Sequence, residues 1–100
     1  MRIIARRTLA TYWSEHPETR ASLSRWLTVV KAAKWASMNE IQSAFPKAKV
    51  LDADRVRFAV AGGNYRMIVA FDLGRQIAFI KFIGTHKECD AINPLTVSSF

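Results

Sequence analysis

A single cysteine, Cys89, stands among the 100 residues, which excludes an intramolecular disulfide and with it the small secreted scaffolds that depend on cross-links. The cytoplasm is the expected compartment. Histidine is almost as scarce, with only His16 and His86, whereas a metal site needs three or four converging His, Cys or carboxylate ligands. His86, Cys89 and Asp90 alone approach such a set, and no second Cys or His motif accompanies them, so neither a metal nor another cofactor is expected. Cys89 then reads as a small buried hydrophobe, because a thiol nucleophile served by His86 needs a lowered pKa that nothing else in the sequence supports. Three prolines and four glycines are too few for a low-complexity or collagen-like chain. No apolar run approaches the roughly 20 residues of a membrane span, and the basic start Met1-Arg2-Ile3-Ile4-Ala5-Arg6-Arg7 leads into mixed polar sequence without a leader's apolar stretch. Phosphate loops, nucleophile elbows and dinucleotide fingerprints are missing, since Ala61-Gly62-Gly63-Asn64 lacks the Lys-Ser/Thr pair and sits between strands.

Acidic residues are in short supply, 8 against 15 lysines and arginines, giving a formal charge of +7 and a pI near 10.2. Such a field attracts polyanions over a Debye length of about 8–10 Å. Nucleic acid leads the possible partners, and an acidic protein segment, an anionic membrane surface or a need for solubility would satisfy the same electrostatics. What the chain does have is apolar material: half of its residues are hydrophobic, enough for one domain, residues 1–100, with one core.

The hydrophobic period divides the chain. Residues 2–5 suit a short strand, and Leu9, Tyr12, Trp13 and His16 then fall at i, i+3, i+4 and i+7, one face of a helix. Pro17 and Glu18 suit the first turn of a second helix, in which Leu23, Trp26, Leu27 and Val30 repeat the spacing. Ser37-Met38-Asn39-Glu40 has the form of a capping box, opening a third helix that Pro46 stops. Beyond Asp54 the period becomes two. Val56, Phe58 and Val60 alternate with Arg55, Arg57 and Ala59, Gly62-Gly63-Asn64 supplies a hairpin turn, Tyr65 to Asp72 returns, and Leu73-Gly74-Arg75 turns again into residues 76–83. Gly84 closes this last strand, residues 85–92 form a turn or short helix, and residues 94–100 read as a poorly tethered tail. The expected fold is α+β, with N-terminal helices packed on one face of a C-terminal antiparallel sheet and the other face left for function. Trp13 and Trp26 belong to the core stripes, while Trp35 and Tyr65 are open to either packing or base stacking.

Cleaving RNA with side chains alone requires activation of a 2′-hydroxyl, balancing of charge on a pentacovalent phosphoryl group and protonation of the departing 5′-oxygen. Histidine, lysine and arginine suit these tasks. His86 and Lys87 follow the strand that carries Lys81, and Arg66 lies on the neighbouring strand opposite in direction to Tyr65, so these groups either converge beyond one sheet face or form a solvated basic rim.

The order Gly62-Gly63-Asn64-x-Arg66, apolar strand, turn, second apolar strand and Thr85-His86-x-Glu88-x-Asp90 closely resembles the HigB-family toxins of type II toxin–antitoxin systems. The resemblance covers the C-terminal half by motif and the rest by length, basicity, the order of helices before strands and Phe45-Pro46 before the sheet. It implies a RelE-like fold and cleavage of messenger RNA, commonly on the ribosome. It also implies a helix-turn-helix antitoxin, with operator DNA contacted through the pair. Carried onto this chain, it makes Arg66 and Lys87 the phosphate charges and His86 the acid or base. Asn64 and Thr85 would contact RNA and Glu88 and Asp90 would orient the others, while Tyr65 as an aromatic and Lys81 as a cation join the RNA contacts on residue type alone. Cys89 departs from the pattern, which most often has tyrosine there, and leaves a non-catalytic RNA- or ribosome-binding module as the alternative.

Overall fold

The computed structural model describes residues 1–100. In chain order they form β1 (Arg2–Ile4), α1 (Arg6–Glu15), a 3-10 turn (Pro17–Thr19), α2 (Arg20–Ala32), α3 (Met38–Ala44), β2 (Lys49–Val50), β3 (Arg55–Val60), a second 3-10 turn (Ala61–Gly63), β4 (Tyr65–Asp72), β5 (Ile77–Thr85) and α4 (His86–Asp90). The fold is α+β. The expected meander is β3-β4-β5, but it sits inside a five-stranded mixed sheet of order β1-β5-β4-β3-β2, in which β1 runs parallel to β5.

Local chemistry explains the helix boundaries. Pro17 begins a separate 3-10 turn instead of the second helix itself. The buried Thr19 donates its hydroxyl hydrogen bond to the His16 carbonyl at 2.7 Å, pinning the corner between α1 and α2. Ser37 and Glu40 form the expected capping box at the start of α3: the Ser37 hydroxyl accepts from the Glu40 N–H, and the Glu40 carboxylate accepts from the N–H groups of Ser37 and Ala36.

One sheet face is closed by the helices. Leu9 of α1, Leu23, Trp26 and Val30 of α2 and Ile41 of α3 meet Val56, Phe58, Met67, Val69, Phe71 and Ile80 in a single buried cluster. Trp26 meets Phe58 edge-on at 5.5 Å, and Phe58 meets Phe71 at 6.1 Å. Each fully buried side chain of this size contributes about 1.5–3 kcal/mol, which is why the apolar stripes outweigh the weak propensities of short helices. Trp13 and Trp35 pack against the same cluster.

The β4–β5 register contains a bulge. Val69 faces Ile80 and Ile68 faces Phe82, so Lys81 is the extra residue. A one-residue slip exchanges the faces of everything beyond it. Ile80 and Ile83 point to the helices, whereas Phe82 joins Ile68 on the outer face. Gly84 continues the strand, which ends only at Thr85. A side chain at Gly84 would meet the Phe82 ring at 2.7 Å and the Glu88 carboxylate at 3.1 Å. That crowding, more than strand termination, is what the glycine serves. At the β3–β4 connection Ala61, Gly62 and Gly63 all have positive φ, and the two glycines adopt it without steric cost.

The outer face is only partly free. Ile68, Phe82 and Cys89 form a second small cluster with Leu51, Ile92 and Val97 over it. The C-terminal segment is tied down, contrary to the expected loose tail: Arg55 donates from Nη1 to the carbonyls of Pro94 at 3.0 Å and Val97 at 2.7 Å, and the Ser99 N–H donates to the Lys81 carbonyl at 2.9 Å. These acceptors lie about 40 residues from Arg55 in sequence, so no local pattern announces them. No helix is long and apolar enough to cross a membrane.

Candidate active site

Thr85 makes the turn from β5 into α4 by capping its first turn. The Thr85 hydroxyl accepts from the Glu88 N–H at 3.1 Å, and the Glu88 carboxylate accepts from the Thr85 N–H at 2.8 Å. That backbone hydrogen bond, with the threonine side chain second, holds the Glu88 carboxyl below the usual carboxylate range. The Glu88 carboxylate is thus committed to shaping the corner on which His86 stands.

Two further contacts fix the position of His86. Its backbone N–H donates to the Asn64 carbonyl at 3.0 Å, joining the start of α4 to the β3–β4 turn. One turn along the helix, Asp90 places Oδ2 at 3.3 Å from His86 Nδ1, with both side chains open to solvent, at 53% and 69% exposure. A carboxylate at Nδ1 leaves Nε2 as the nitrogen that faces an incoming group.

Arg66 reaches the same corner from β4, where it is paired with Gly84, the residue just before Thr85. Its Nε is buried without a hydrogen-bond acceptor. A buried donor left unpaired is costly, more so on a charged group, so the side chain gains from any acceptor brought to it. Lys87 is exposed beside His86, and Asn64 projects from the turn. Thus Asn64, Arg66, Thr85, His86, Glu88 and Asp90 come together at one end of β4 and β5, with Lys87 at the rim.

Cys89 lies under this corner, 7% exposed and packed against Ile68 and Phe82. Burial pushes its thiol pKa up, and the nearby charges of Arg57 and Arg66 only partly oppose that. The residue fills a hydrophobic slot and is poorly suited to act as a nucleophile.

Two of the nominated RNA contacts are placed elsewhere. Tyr65 is 9% exposed on the helix side, donates its hydroxyl to Glu18 at 2.5 Å and meets the rings of Tyr12 and His16 edge-on at 6.0 and 5.7 Å. The period of two turns it away from Arg66, so its ring is occupied by the core and not presented for stacking. Lys81 sits at the bulge with its ammonium 5.4 Å from the centre of the Phe79 ring, beside the C-terminal segment and three residues before Gly84. Arg57, which alternates with Val56 and Phe58 along β3, brings its charge to Cys89 together with that of Arg66.

No curated protein matches the chain. One family model does, over residues 19–92, which carry α2 through α4 and all of the corner just described. The family is HigB toxin, the RelE-like toxic component of a toxin–antitoxin system, and the chain belongs to it.

Proposed function

We propose that this toxin is a cytoplasmic endoribonuclease that cuts messenger RNA during translation on the ribosome, using the corner formed by β4, β5 and α4. The observation that carries the reading is the pairing of Arg66 with Gly84, which sets a guanidinium whose Nε has no acceptor beside the helix start that bears His86. A ribose 2′-oxygen attacks the adjacent phosphorus, and the bond from phosphorus to the 5′-oxygen breaks, leaving a 2′,3′-cyclic phosphate and a 5′-hydroxyl. Arg66 and Lys87 balance the charge that accumulates on the pentacovalent group. His86, oriented by Asp90, moves a proton at the attacking or departing oxygen through Nε2. Glu88 acts through Thr85 by holding the helix start in place. The cut needs no metal in this scheme, so it should persist in excess chelator.

A translation extract programmed with one message tests the activity. Discrete cuts that persist with purified ribosomes support it, and an absence of cuts at every ribosome concentration overturns it. The antitoxin of this family member would be a helix-turn-helix protein, through which the pair contacts operator DNA, and an acidic segment of it would suit the basic corner. A second reading, RNA or ribosome binding without cleavage, is favoured by the burial of Cys89, which offers RNA neither ring nor hydroxyl. It predicts salt-sensitive RNA binding with intact transcripts.

A further inference from the structure

A line of positive charge continues from Arg66 away from the motif residues. Register places Arg57 opposite Ile68 and Lys49 opposite Arg57. Directly paired residues share a sheet face. Ile68 packs on the outer face, so Arg57 and Lys49 face outward as well. Arg66 is paired with Ala59, two residues along β3 from Arg57, which makes the two arginines diagonal neighbours at about 7–8 Å, with Lys49 about 5 Å beyond Arg57.

No carboxylate forms an ion pair with this line. The two ion pairs of the molecule are Arg75 with Asp72 and His86 with Asp90, and neither includes Lys49, Arg57 or Arg66. Like charges directly opposite each other on a sheet are destabilising. The line borders the part of the outer face that α4 and the C-terminal segment cover: Lys49 and Ala59 are exposed, Arg57 and Arg66 half-buried, and Ile68 and Phe82 covered. A cation scattered for solubility gains nothing from facing another cation. Three in a row leading to the corner occupied by His86 match a charged chain that passes through that corner.

We propose that Lys49 and Arg57 extend the Arg66 site into a track for consecutive phosphates of single-stranded RNA, so that the strand on one side of the cut bond crosses β4, β3 and β2. The anchor phosphate at Arg66 rests on the endoribonuclease reading, but the track has its own readout. A fluorescent 2′-O-methyl oligonucleotide, which has no 2′-hydroxyl to attack, is titrated with wild-type protein and with Lys49→Thr, Arg57→Thr and the double variant over a range of salt. Each single variant lowers the slope of log affinity against log salt by about 0.7, and the double variant by about 1.4 with a loss of tenfold or more at 0.1 M salt. Relief of the cation pair simultaneously raises Tm by roughly 1–5 °C, and Arg57→Lys restores most of the slope. An unchanged slope in the folded double variant overturns the track, whatever happens to Tm. If the slope falls but wild-type protein cuts no transcript, the track stands and the endoribonuclease reading fails. If wild-type protein cuts and the slope is unchanged, the endoribonuclease reading stands and the track fails.

Discussion

The proposed mechanism gives His86 and Arg66 different work at one corner, and their removal should leave different traces. On that mechanism His86→Ala takes away the proton carrier, so cutting in the translation extract falls by roughly 10²–10⁴-fold, the usual weight of a general acid or base. Because the imidazole is about half exposed and bonded only to Asp90, the fold should lose less than about 0.5 kcal/mol, as is usual at exposed positions. Asp90→Asn keeps the shape but weakens orientation, and a drop of about tenfold is expected. Arg66→Ala removes both phosphate charge and an unpaired buried donor, so cutting is lost while urea unfolding changes little or improves. If both alanine variants retain full activity as folded proteins, the site is misplaced. Cys89 offers a contrasting case. Cys89→Ala leaves a space beside Ile68 and Phe82, lowering stability by about 1 kcal/mol with cutting retained.

The elements explain how these residues come to share a corner. α4 is only five residues long, far too short to persist alone in water, and it forms because Thr85 and Glu88 cap it and Cys89 is buried. Thr85→Ala should therefore cost about 0.5–2 kcal/mol and reduce cutting by misplacing His86, whereas Thr85→Ser should restore both. Comparison of urea midpoints with cutting rates checks this, and an uncapped variant that cuts at the wild-type rate would remove the helix start from the mechanism. The Ser37–Glu40 capping box was legible in the sequence because its residues are three apart, and so were the helical stripes and the β3–β4–β5 meander, whereas Thr85 and Glu88, at the same spacing, stood there only as motif residues. Three features were not. β1 is three residues long and its partner lies some 75 residues away, so its parallel pairing has no local signature. The bulge at Lys81 hides in a strand whose other residues from Ile77 to Ile83 are all apolar, so neither face is marked by alternation and the extra residue leaves no trace in the pattern. The hold of Arg55 on the C-terminal segment ends on backbone carbonyls, which every residue possesses. At the candidate site, motif order nominated Asn64, Arg66, Thr85 and His86, which the fold brings to one corner. Arg57 belongs to no motif, and the place of Tyr65 in the strand already opposed it to Arg66.

For the whole molecule, the helical half and the sheet half are joined near the candidate site by a cluster that includes titrating groups. Tyr65 donates to Glu18 across 47 residues of sequence, Tyr12 stacks on His16 at 4.3 Å, and the Glu88 charge reaches both tyrosines. Burial, with the nearby carboxylates adding to it, pushes the Tyr12 pKa up to about 12. The hydrogen bond to Glu18 is the leading cause of the rise in Tyr65, and the same bond lowers Glu18. A folded-state pKa raised above the unfolded value means stability that is complete below the unfolded tyrosine pKa of about 10 and is lost as pH rises through the folded values. The lowered Glu18 value works in the opposite direction, contributing stability above the unfolded carboxylate pKa of about 4.3 that disappears as pH falls through the folded value. Urea unfolding followed from pH 3 to pH 12 should therefore decline at both ends. Tyr65→Phe keeps the ring in the core but removes the hydroxyl, so it should flatten both limbs while Tyr12→Phe flattens the alkaline limb alone. Because Tyr65 is adjacent in sequence to Arg66 and paired with Thr85, loosening this cluster should also raise amide exchange at Thr85 and His86. Superimposable pH profiles for wild type and Tyr65→Phe would show that the two halves are held by apolar packing alone, leaving the corner independent of the helices beneath it.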